Sequence, residues 1–502
     1  MSSDATPGPA PRSTYRLQLG PELTFAAAAG LADYLAGLGV THAYLSPILR
    51  AAPGSTHGYD VVDHGHLNEE LGGLRGFRKL AAALRAKNIG IVVDVVPNHM
   101  AVPVPEALNA ALWSVLRHGR ESPYDAWFDI DWDAGGGRLL MPLLDGPVES
   151  NLDRLFVERR RGRPPQLRYF DHVLPLADGT AQLPMRELVD AQHYRLADWR
   201  TASTELNYRR FCDITSLIGV RVEDPAVFAT THAVLVDLVA DGDVQGLRID
   251  HPDGLADPAR YFADLAEVTD DAWVVVEKIL ADGEPLPADW RVAGTTGYET
   301  LTVLNGLLVD PAGEGPLSRT YTELTGDTAD FATVAGEGKQ LAARDLLAAE
   351  VSRLVRLLPA SQSASDIESV ETLRDAVVEV LTGLDVYRPY AASPMTLVAV
   401  EDAARHAGQR RPDLRLQIEE VRALALQPGE FATRFAQTAA AVFAKGVEDT
   451  AFYRHARLLA LNEVGGDPGR FGVRLAEFHH FALELQASSP TAMTTLSTHD
   501  TK

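Results

Sequence analysis

Short apolar runs alternate with amphipathic stretches over the first 100 residues. STYRLQL (13–19), THAYLSPIL (41–49) and IGIVVDVVPNH (89–99) have the length and β-branched content of strands. Between them, AGLADYLAGLG (29–39) and LRGFRKLAAALRAKN (74–88) have the apolar spacing of helices. This order predicts parallel βαβ units, and the almost continuously apolar IGIVVDVV predicts a strand that is covered on both faces.

The alternation stops after residue 100 and resumes after residue 225. Residues 101–225 are rich in Pro, Gly, Arg and Asp, and we expect an irregular insertion there. The later pattern predicts a helix over 226–241, the strand GLRID (246–250), a helix over 257–268 and the strand AWVVVEKIL (272–280).

A second insertion is expected over residues 311–470, and it is mostly helical in pattern. Within it, Leu347, Val351, Leu354 and Leu358 fall on one helical stripe, which predicts a buried helix face. The segment TAMTTLSTHD (491–500) is predicted to form one more strand.

Six or seven strands with large insertions predict an α/β fold of the (β/α)8 TIM-type barrel class. Polar residues follow the apolar part of the strands in DVVPNH, GLRIDH, VVVEK and LSTHD, as expected where a barrel carries its catalytic groups. A doubly wound nucleotide-binding fold is disfavoured because no glycine-rich turn follows the first strand. We expect five parts: barrel units over 1–100, an insertion over 101–225, barrel strands over 226–310, a helical insertion over 311–470 and a last strand over 471–502.

The composition narrows the range of partners. A formal net charge of -23 argues against binding to nucleic acid or anionic membranes, which requires clustered Lys and Arg. Cys212 is the single cysteine, so an intrachain disulfide and a thiolate metal cluster are excluded. No secretory leader and no apolar stretch of membrane-spanning length is evident, so we expect a cytoplasmic protein.

GLRID alternates apolar and charged positions, which predicts that Arg248 and Asp250 share one face of a strand. Burying this pair is costly unless the two groups contact each other, and the arginine then keeps the carboxylate ionised. Glu277 follows the apolar run WVVV, where desolvation raises a carboxyl pKa and suits a general acid. Retaining glycosyl transfer requires two such carboxyl groups close together. Here they are expected at neighbouring strand ends, with Asp250 as nucleophile and Glu277 as acid/base.

Each of these features also has a purely structural interpretation. Arg248 and Asp250 can form a structural ion pair, Glu277 can pair with Lys278 on a surface, and the Asn-His of DVVPNH can cap a loop. The ordered set of motifs, separated by large insertions, favours the catalytic interpretation.

This ordered set resembles the four short sequence regions of the α-amylase superfamily of glycoside hydrolases and transglycosylases. The resemblance implies that Asp250, Glu277 and Asp500 are the catalytic carboxylates, with Asp500 stabilising the transition state. HGYDVVD (57–63) resembles the segment whose tyrosine, here Tyr59, stacks under the sugar. The substrate-binding residues implied or expected are His57, Tyr59, Asp60, Asn98, His99, Arg248, His251, Asp253, Lys445 and His499.

Longer stretches resemble a trehalose-forming subfamily, namely GSTHGYDVVDH, NYRRFCDI, GLRIDHPDGLADP, GTTGYE, AKGVEDTAFYR and STHDTK. This resemblance implies a glucosylmutase that converts the reducing-end α-1,4 linkage of maltooligosaccharides into an α,α-1,1 linkage. It implies no metal and no organic cofactor, and a product that passes to a trehalohydrolase.

Two further expectations follow from the resemblance. The family's eighth strand with its helix and a C-terminal β-domain are expected but not found in this sequence, which predicts a fragment of a longer protein with low stability. The alternatives are an α-amylase-type hydrolase or glucanotransferase acting on α-1,4-glucans, and a non-catalytic glucan-binding protein or inactive fragment.

Overall fold

The computed structural model describes residues 10–359, 367–390 and 394–502. The chain forms two compact units: unit 1 comprises the residues up to Asp250 and Asp264–Trp273, and unit 2 comprises His251–Ala263 and Val274–Lys502. The expectation about a leader, and parts of the expected helical insertion, fall on residues 1–9, 360–366 and 391–393, which lie outside the described residues. The five-part division of the chain stays a prediction.

The secondary structure follows the order of the sequence. The strands are β1 (Thr14–Leu17), β2 (His42–Leu45), β3 (Leu49–Ala51), β4 (Val61–Leu67), β5 (Gly90–Val95), β6 (His99–Ala101), β7 (Leu139–Leu144), β8 (Phe156–Glu158), β9 (Gln166–Tyr169), β10 (His172–Pro175), β11 (Tyr194–Asp198), β12 (Arg210–Phe211), β13 (Ile214–Gly219), β14 (Gly246–Ile249), β15 (Trp273–Val276) and β16 (Gly294–Thr295).

The helices are α1 (Phe25–Ala29), α2 (Ala32–Gly37), α3 (Gly73–Arg85), α4 (Ala110–His118), α5 (Met185–Asp190), α6 (Ala202–Glu205), α7 (Pro225–Ala240), α8 (Pro258–Val268), α9 (Tyr298–Leu307), α10 (Glu314–Thr325), α11 (Phe331–Leu341), α12 (Ala348–Leu357), α13 (Ile367–Thr382), α14 (Pro394–Arg410), α15 (Arg415–Leu426), α16 (Glu430–Phe443), α17 (Phe452–Arg454) and α18 (Leu475–Ser488). Two π-helical turns, Ala342–Leu346 and Ala444–Ala451, interrupt the helical part.

Unit 1 is built on the parallel strands β1, β2, β5 and β14, which pair in that order. Ile91, Val92 and Val93 of β5 are buried, which confirms the strand predicted to be covered on both faces. In β14, Arg248 lies in register with Asp94 of β5, so the two side chains share one face of the sheet. This register places the charged positions of GLRID beside an aspartate of the neighbouring strand.

The segment between residues 101 and 225 is more ordered than its composition indicates. It contributes β7–β13, which form small sheets in the orders β10-β9-β8, β11-β7 and, with β6, β12-β13-β6. These strands have two to six residues, which is too short for a periodic pattern to stand out from a Gly- and Pro-rich background.

Unit 2 contains the parallel pair β15 and β16, in which Val275 lies opposite Gly294. The helices α12 to α16 bury a common apolar core. The predicted stripe of Leu347, Val351, Leu354 and Leu358 is fully buried in this core, which confirms the helical periodicity of that segment.

The prediction of a strand over residues 491–500 is wrong. Met493 donates one backbone hydrogen bond to the Thr295 carbonyl at 3.2 Å, but the segment, all of which is described, forms no ladder. The Thr498 hydroxyl accepts a hydrogen bond from the Asp500 N–H, and Thr501 donates to the Thr498 carbonyl. Such local side-chain bonds compete with strand pairing, and this threonine-rich segment forms a turn instead.

A search of the described residues for a helix with the length and hydropathy needed to cross a bilayer found none.

Two buried histidines of unit 1 predict that the folded chain loses stability in acid. Burial lowers the pKa of His64 to about 4 and the pKa of His232 to about 3, so both are neutral in the folded chain near pH 6. Below the ordinary pKa of about 6.5 the unfolded chain binds protons that the folded chain excludes, which costs about 1.4 kcal/mol per pH unit and histidine. We expect the free energy of unfolding to fall as the pH is lowered from 6.5 to about 4, measured by urea denaturation. His232→Gln should reduce this slope, and an unchanged slope would contradict the assignment.

Candidate active site

Arg248 links two carboxylates inside unit 1. Its Nη1 donates to Asp94 Oδ1 at 2.8 Å and to Asp250 Oδ1 at 2.7 Å. Asp250 follows the last residue of β14, and all three side chains are buried. One guanidinium therefore holds Asp250 in a fixed orientation and favours its ionised form, as a nucleophilic carboxylate requires.

Asp94 connects this ion pair to the aromatic residues around it. Its Oδ2 accepts hydrogen bonds from Arg16 Nη1 at 3.1 Å, from the Tyr59 hydroxyl at 2.5 Å and from the Tyr44 hydroxyl at 3.3 Å. Arg16 also donates to the Tyr59 hydroxyl at 3.0 Å. Burial and then the Asp94 charge hold the pKa of Tyr59 well above its ordinary value, so the hydroxyl stays protonated and keeps donating.

Tyr59 is only partly buried, and His57 stacks beside it with ring centroids 5.9 Å apart. Asp60 accepts a hydrogen bond from the Ser55 hydroxyl at 2.5 Å, and its carboxylate lies 3.9 Å from the His57 ring nitrogen. The phenol is thus fixed at its hydroxyl end while part of the residue is accessible, an arrangement suited to stacking on a sugar. Ligand roles for His57 and Asp60 stay predictions.

Asn98 and His99 are both buried, but they have different surroundings. The Asn98 amide oxygen accepts a hydrogen bond from Arg209, which also forms an ion pair with Asp129 at 3.1 Å. His99 packs on Phe211 with ring centroids 4.9 Å apart. Burial first, and the nearby Arg209 charge second, lower the pKa of His99 to about 3, so its ring is neutral.

His99 Nε2 is buried and has no hydrogen-bond partner among the residues that the structure describes. A neutral imidazole with a ring nitrogen left over is able to bond to a sugar hydroxyl.

In unit 2, Glu277 follows β15 directly and is partly exposed. Its Oε2 accepts the backbone N–H of His251 at 2.9 Å. His251 has a positive φ of 45°, a left-handed conformation that costs free energy for a residue with a side chain. In this conformation the backbone N–H of His251, the residue after Asp250, points to Glu277 and donates to it. The expected rise in the pKa of Glu277 stays a prediction.

Asp500 is positioned by Tyr298 in unit 2. The buried Tyr298 hydroxyl donates to Asp500 Oδ2 at 2.8 Å and contacts the Thr498 hydroxyl at 2.9 Å. His499 Nε2 lies 3.3 Å from Asp500 Oδ1. Asp500 is thus held by side chains although the predicted strand does not form.

Asp253 and Lys445, two of the expected substrate-binding residues, already have partners within unit 2. Asp253 is buried, accepts a hydrogen bond from the Tyr390 hydroxyl and lies 3.4 Å from Lys278 Nζ. Lys445, in the second π-helical turn, is 2.8 Å from Asp449. Their sugar-binding roles stay predictions.

Three residues that hold candidate site residues in place were not predicted from the sequence. Tyr298 and Arg209 stand in stretches that resemble the subfamily, GTTGYE and NYRRFCDI, which is the signal that pointed to them. Arg16 lies in the first predicted strand, on the same face of the sheet as Arg248. Its contact with Asp94 joins residues 78 positions apart, so no local pattern indicates it.

No group of three or more His, Cys, Asp or Glu side chains suited to a metal ion occurs among residues 10–359, 367–390 and 394–502. The carboxylates described above are instead held by arginine, tyrosine and backbone N–H groups. Acid/base and nucleophilic catalysis require carboxylates held in this way.

Comparison with known proteins identifies relatives over nearly the whole chain. The family model of the α-amylase catalytic domain matches residues 30–277. The structure of maltooligosyltrehalose synthase from Arthrobacter ramosus has a TM-score of 0.91 and 43% identity, and the match covers 98% of this chain and 63% of that chain. The chain belongs to the α-amylase family.

This membership confirms the predicted (β/α)8 barrel class. A Mycobacterium tuberculosis protein, provisionally named maltooligosyl trehalose synthase, is 44% identical over 496 residues, which are 98% of this chain and 63% of the relative. The intracellular maltogenic amylase of Bacillus subtilis is 35% identical over only 99 residues, 20% of this chain and 16% of that protein. The chain thus spans less than two thirds of the length of the relatives that match it throughout.

The shared guanidinium predicts a large stability effect at Asp94. Asp94→Asn removes a charge from a buried network and leaves Arg248 with one carboxylate fewer, which should cost about 3 kcal/mol. The matched control is Asp241→Asn, because Asp241 pairs with Arg78 on the surface and should change stability by less than about 1 kcal/mol. Urea denaturation of both variants measures the difference. Equal effects would show that the buried network does not carry this energy.

Proposed function

We propose that this member of the α-amylase family is an intramolecular transglycosylase of maltooligosaccharides. It converts the reducing-end α-1,4 linkage into an α,α-1,1 linkage and so forms a trehalosyl end, in trehalose biosynthesis. The observation that carries the proposal is the similarity to maltooligosyl trehalose synthases over 98% of the chain, at 43–44% identity. The carboxylates Asp250, Glu277 and Asp500 are all present, which supports an enzyme over a binding protein.

In the first step Asp250 attacks the anomeric carbon of the penultimate glucose. Glu277 protonates the departing glycosidic oxygen, so the bond to the reducing-end glucose breaks and a glycosyl ester forms on Asp250. The contact between Arg248 and Asp250 supports the role of Asp250, because it keeps the carboxylate ionised and aimed.

In the second step the released glucose turns over and attacks the ester through its own anomeric hydroxyl. Glu277 takes up the proton of that hydroxyl, and the Asp250 carboxylate leaves. Two inversions give net retention at the attacked carbon and a non-reducing 1,1-linked product. Water would otherwise hydrolyse the ester, so the released glucose must be held and water excluded.

The remaining residues bind the sugars. Tyr59 stacks under the glucose that is attacked, Asp500 and His499 hold its hydroxyls, and the neutral His99 ring bonds to another hydroxyl. Asn98 is held at its amide oxygen by Arg209, and its amide N–H groups are the donors proposed for the sugar. Lys445 and Asp253 remain the candidates for holding the released glucose. We further propose a cytoplasmic location and a trehalohydrolase that consumes the product.

Incubation with maltopentaose tests the reaction. Reducing power and free glucose are followed together, and the anomeric NMR signals identify a 1,1 linkage. Loss of reducing ends with little free glucose is the expected result. A rise in reducing ends would instead establish an amylase-type hydrolase, redistribution of chain lengths would establish a glucanotransferase, and binding without turnover would establish a glucan-binding protein.

The catalytic assignment predicts the behaviour of two variants. Asp250→Asn and Glu277→Gln should each lower turnover of maltopentaose by about 10³-fold or more, because each removes a group that acts on the reacting bond. Glucan binding, measured by calorimetry, should change little. Asp178→Asn is the control, since Asp178 is an exposed partner of Arg117. Substantial turnover by either catalytic variant would contradict the mechanism.

A further inference from the structure

The loop that follows Asp250 is held at its main chain by side chains of the helical part of unit 2. Arg388 Nη1 donates to the carbonyls of Asp253 at 2.5 Å and Leu255 at 2.6 Å, and its Nη2 donates to the Ala256 carbonyl at 3.3 Å. Gln437 of α16 donates to the Gly254 carbonyl at 2.8 Å. Four consecutive carbonyls thus each accept a hydrogen bond from a side chain more than 130 positions away.

The side chain of Asp253 anchors the same loop. It accepts a hydrogen bond from the Tyr390 hydroxyl and lies 3.4 Å from Lys278 Nζ. The Arg388 guanidinium lies over the Tyr390 ring at 5.3 Å, and Lys278 Nζ lies 5.5 Å from the same ring centre. These side chains are buried, so they form one anchor on both the backbone and the carboxylate of the loop.

The anchored loop begins at the residue that donates to Glu277. His251, the first residue of the loop, donates its N–H to Glu277 Oε2 at 2.9 Å in a left-handed conformation. Lys278 follows Glu277 in the chain and forms part of the anchor. A shift of the loop therefore moves the Glu277 carboxylate from both sides.

We propose that Arg388 is a positioning residue for the acid/base carboxylate, acting through the backbone of the loop His251–Ala256. Tyr390 supports it by fixing Asp253. The helical part of unit 2 thereby orients the proton donor. This role rests on the proposed function.

The Asp250 carboxylate is bound by a side chain that does not belong to this anchor. Its carboxylate accepts from Arg248 within unit 1, and Arg248 is fixed in turn by Asp94. Loss of Arg388 should therefore impair the step that needs Glu277 and leave the attack by Asp250 largely intact. A residue that only maintains the fold would affect both equally.

Two substrates separate these steps. Maltopentaose needs a proton on the departing oxygen, whereas α-maltosyl fluoride has a leaving group that departs as fluoride without a proton. With azide as acceptor, Asp250 displaces fluoride, and azide, which carries no proton to remove, then displaces Asp250 to give α-maltosyl azide. The rate of fluoride release in azide therefore measures nucleophilic attack by Asp250 and does not depend on proton transfer by Glu277.

The variants are Arg388→Gln and the milder Arg388→Lys and Tyr390→Phe, compared with Glu277→Gln and Asp250→Asn. Arg388→Gln should lower maltopentaose turnover by about 100-fold or more but fluoride release by less than about 5-fold, as Glu277→Gln does. Arg388→Lys and Tyr390→Phe should show smaller losses with the same selectivity. Asp250→Asn should lose both reactions. The control Arg422→Gln, on α15 with its partners Glu401 and Glu419, should lose neither.

Equal losses with the two substrates in Arg388→Gln, or in Tyr390→Phe if the first variant does not fold, would overturn the positioning role. Unchanged turnover of maltopentaose in Arg388→Gln would overturn it as well. Failure of the wild type to isomerise maltopentaose, despite fluoride release, would refute the proposed function instead. Inactivity of the wild type on both substrates would refute the function and this role together.

Discussion

The charge balance around the buried Arg248 guanidinium is the constraint on which the rest of unit 1 depends. A cation inside a parallel sheet is destabilising unless carboxylates surround it, and Asp94 and Asp250 supply them at 2.8 and 2.7 Å. Asp94 in turn accepts hydrogen bonds from Arg16 and Tyr59 and so fixes their positions. These contacts offset the cost of burying the Arg248 charge. They also keep Asp250 ionised and oriented, and they fix the hydroxyl of Tyr59.

Glu277, the proposed acid/base, depends on a different constraint. Glu277 accepts from the His251 N–H, and the loop that begins at His251 is bound through its carbonyls by Arg388 and Gln437. The contacts described for Asp250, the proposed nucleophile, come from the parallel strands, and those described for the loop beside Glu277 come from the helical unit.

The sequence pattern was sufficient to predict which side chains share a face where the residues belong to one strand or one helix. The period of two in GLRID predicted that Arg248 and Asp250 share a face, and the period of 3.6 predicted the buried stripe around Leu354. It failed over 491–500, where threonine hydroxyls close a turn. Arg388 could not be found, because its partners lie up to 135 positions away and its own segment has no motif. Asp253 is expected from the sequence to bind substrate, but no local pattern predicts its contacts with Tyr390 and Lys278.

Trapping the glycosyl-enzyme tests the central claim most directly, which is that Arg248 presents Asp250 as the nucleophile. The protein is incubated with 5-fluoro-α-glucosyl fluoride, digested with protease and analysed by mass spectrometry for a peptide that carries the sugar ester. The account predicts the label on the peptide containing Asp250, at the Asp250 carboxylate, and a much slower labelling of Arg248→Lys. A label on Glu277 or Asp500, or equally fast labelling after the loss of Arg248, would contradict it.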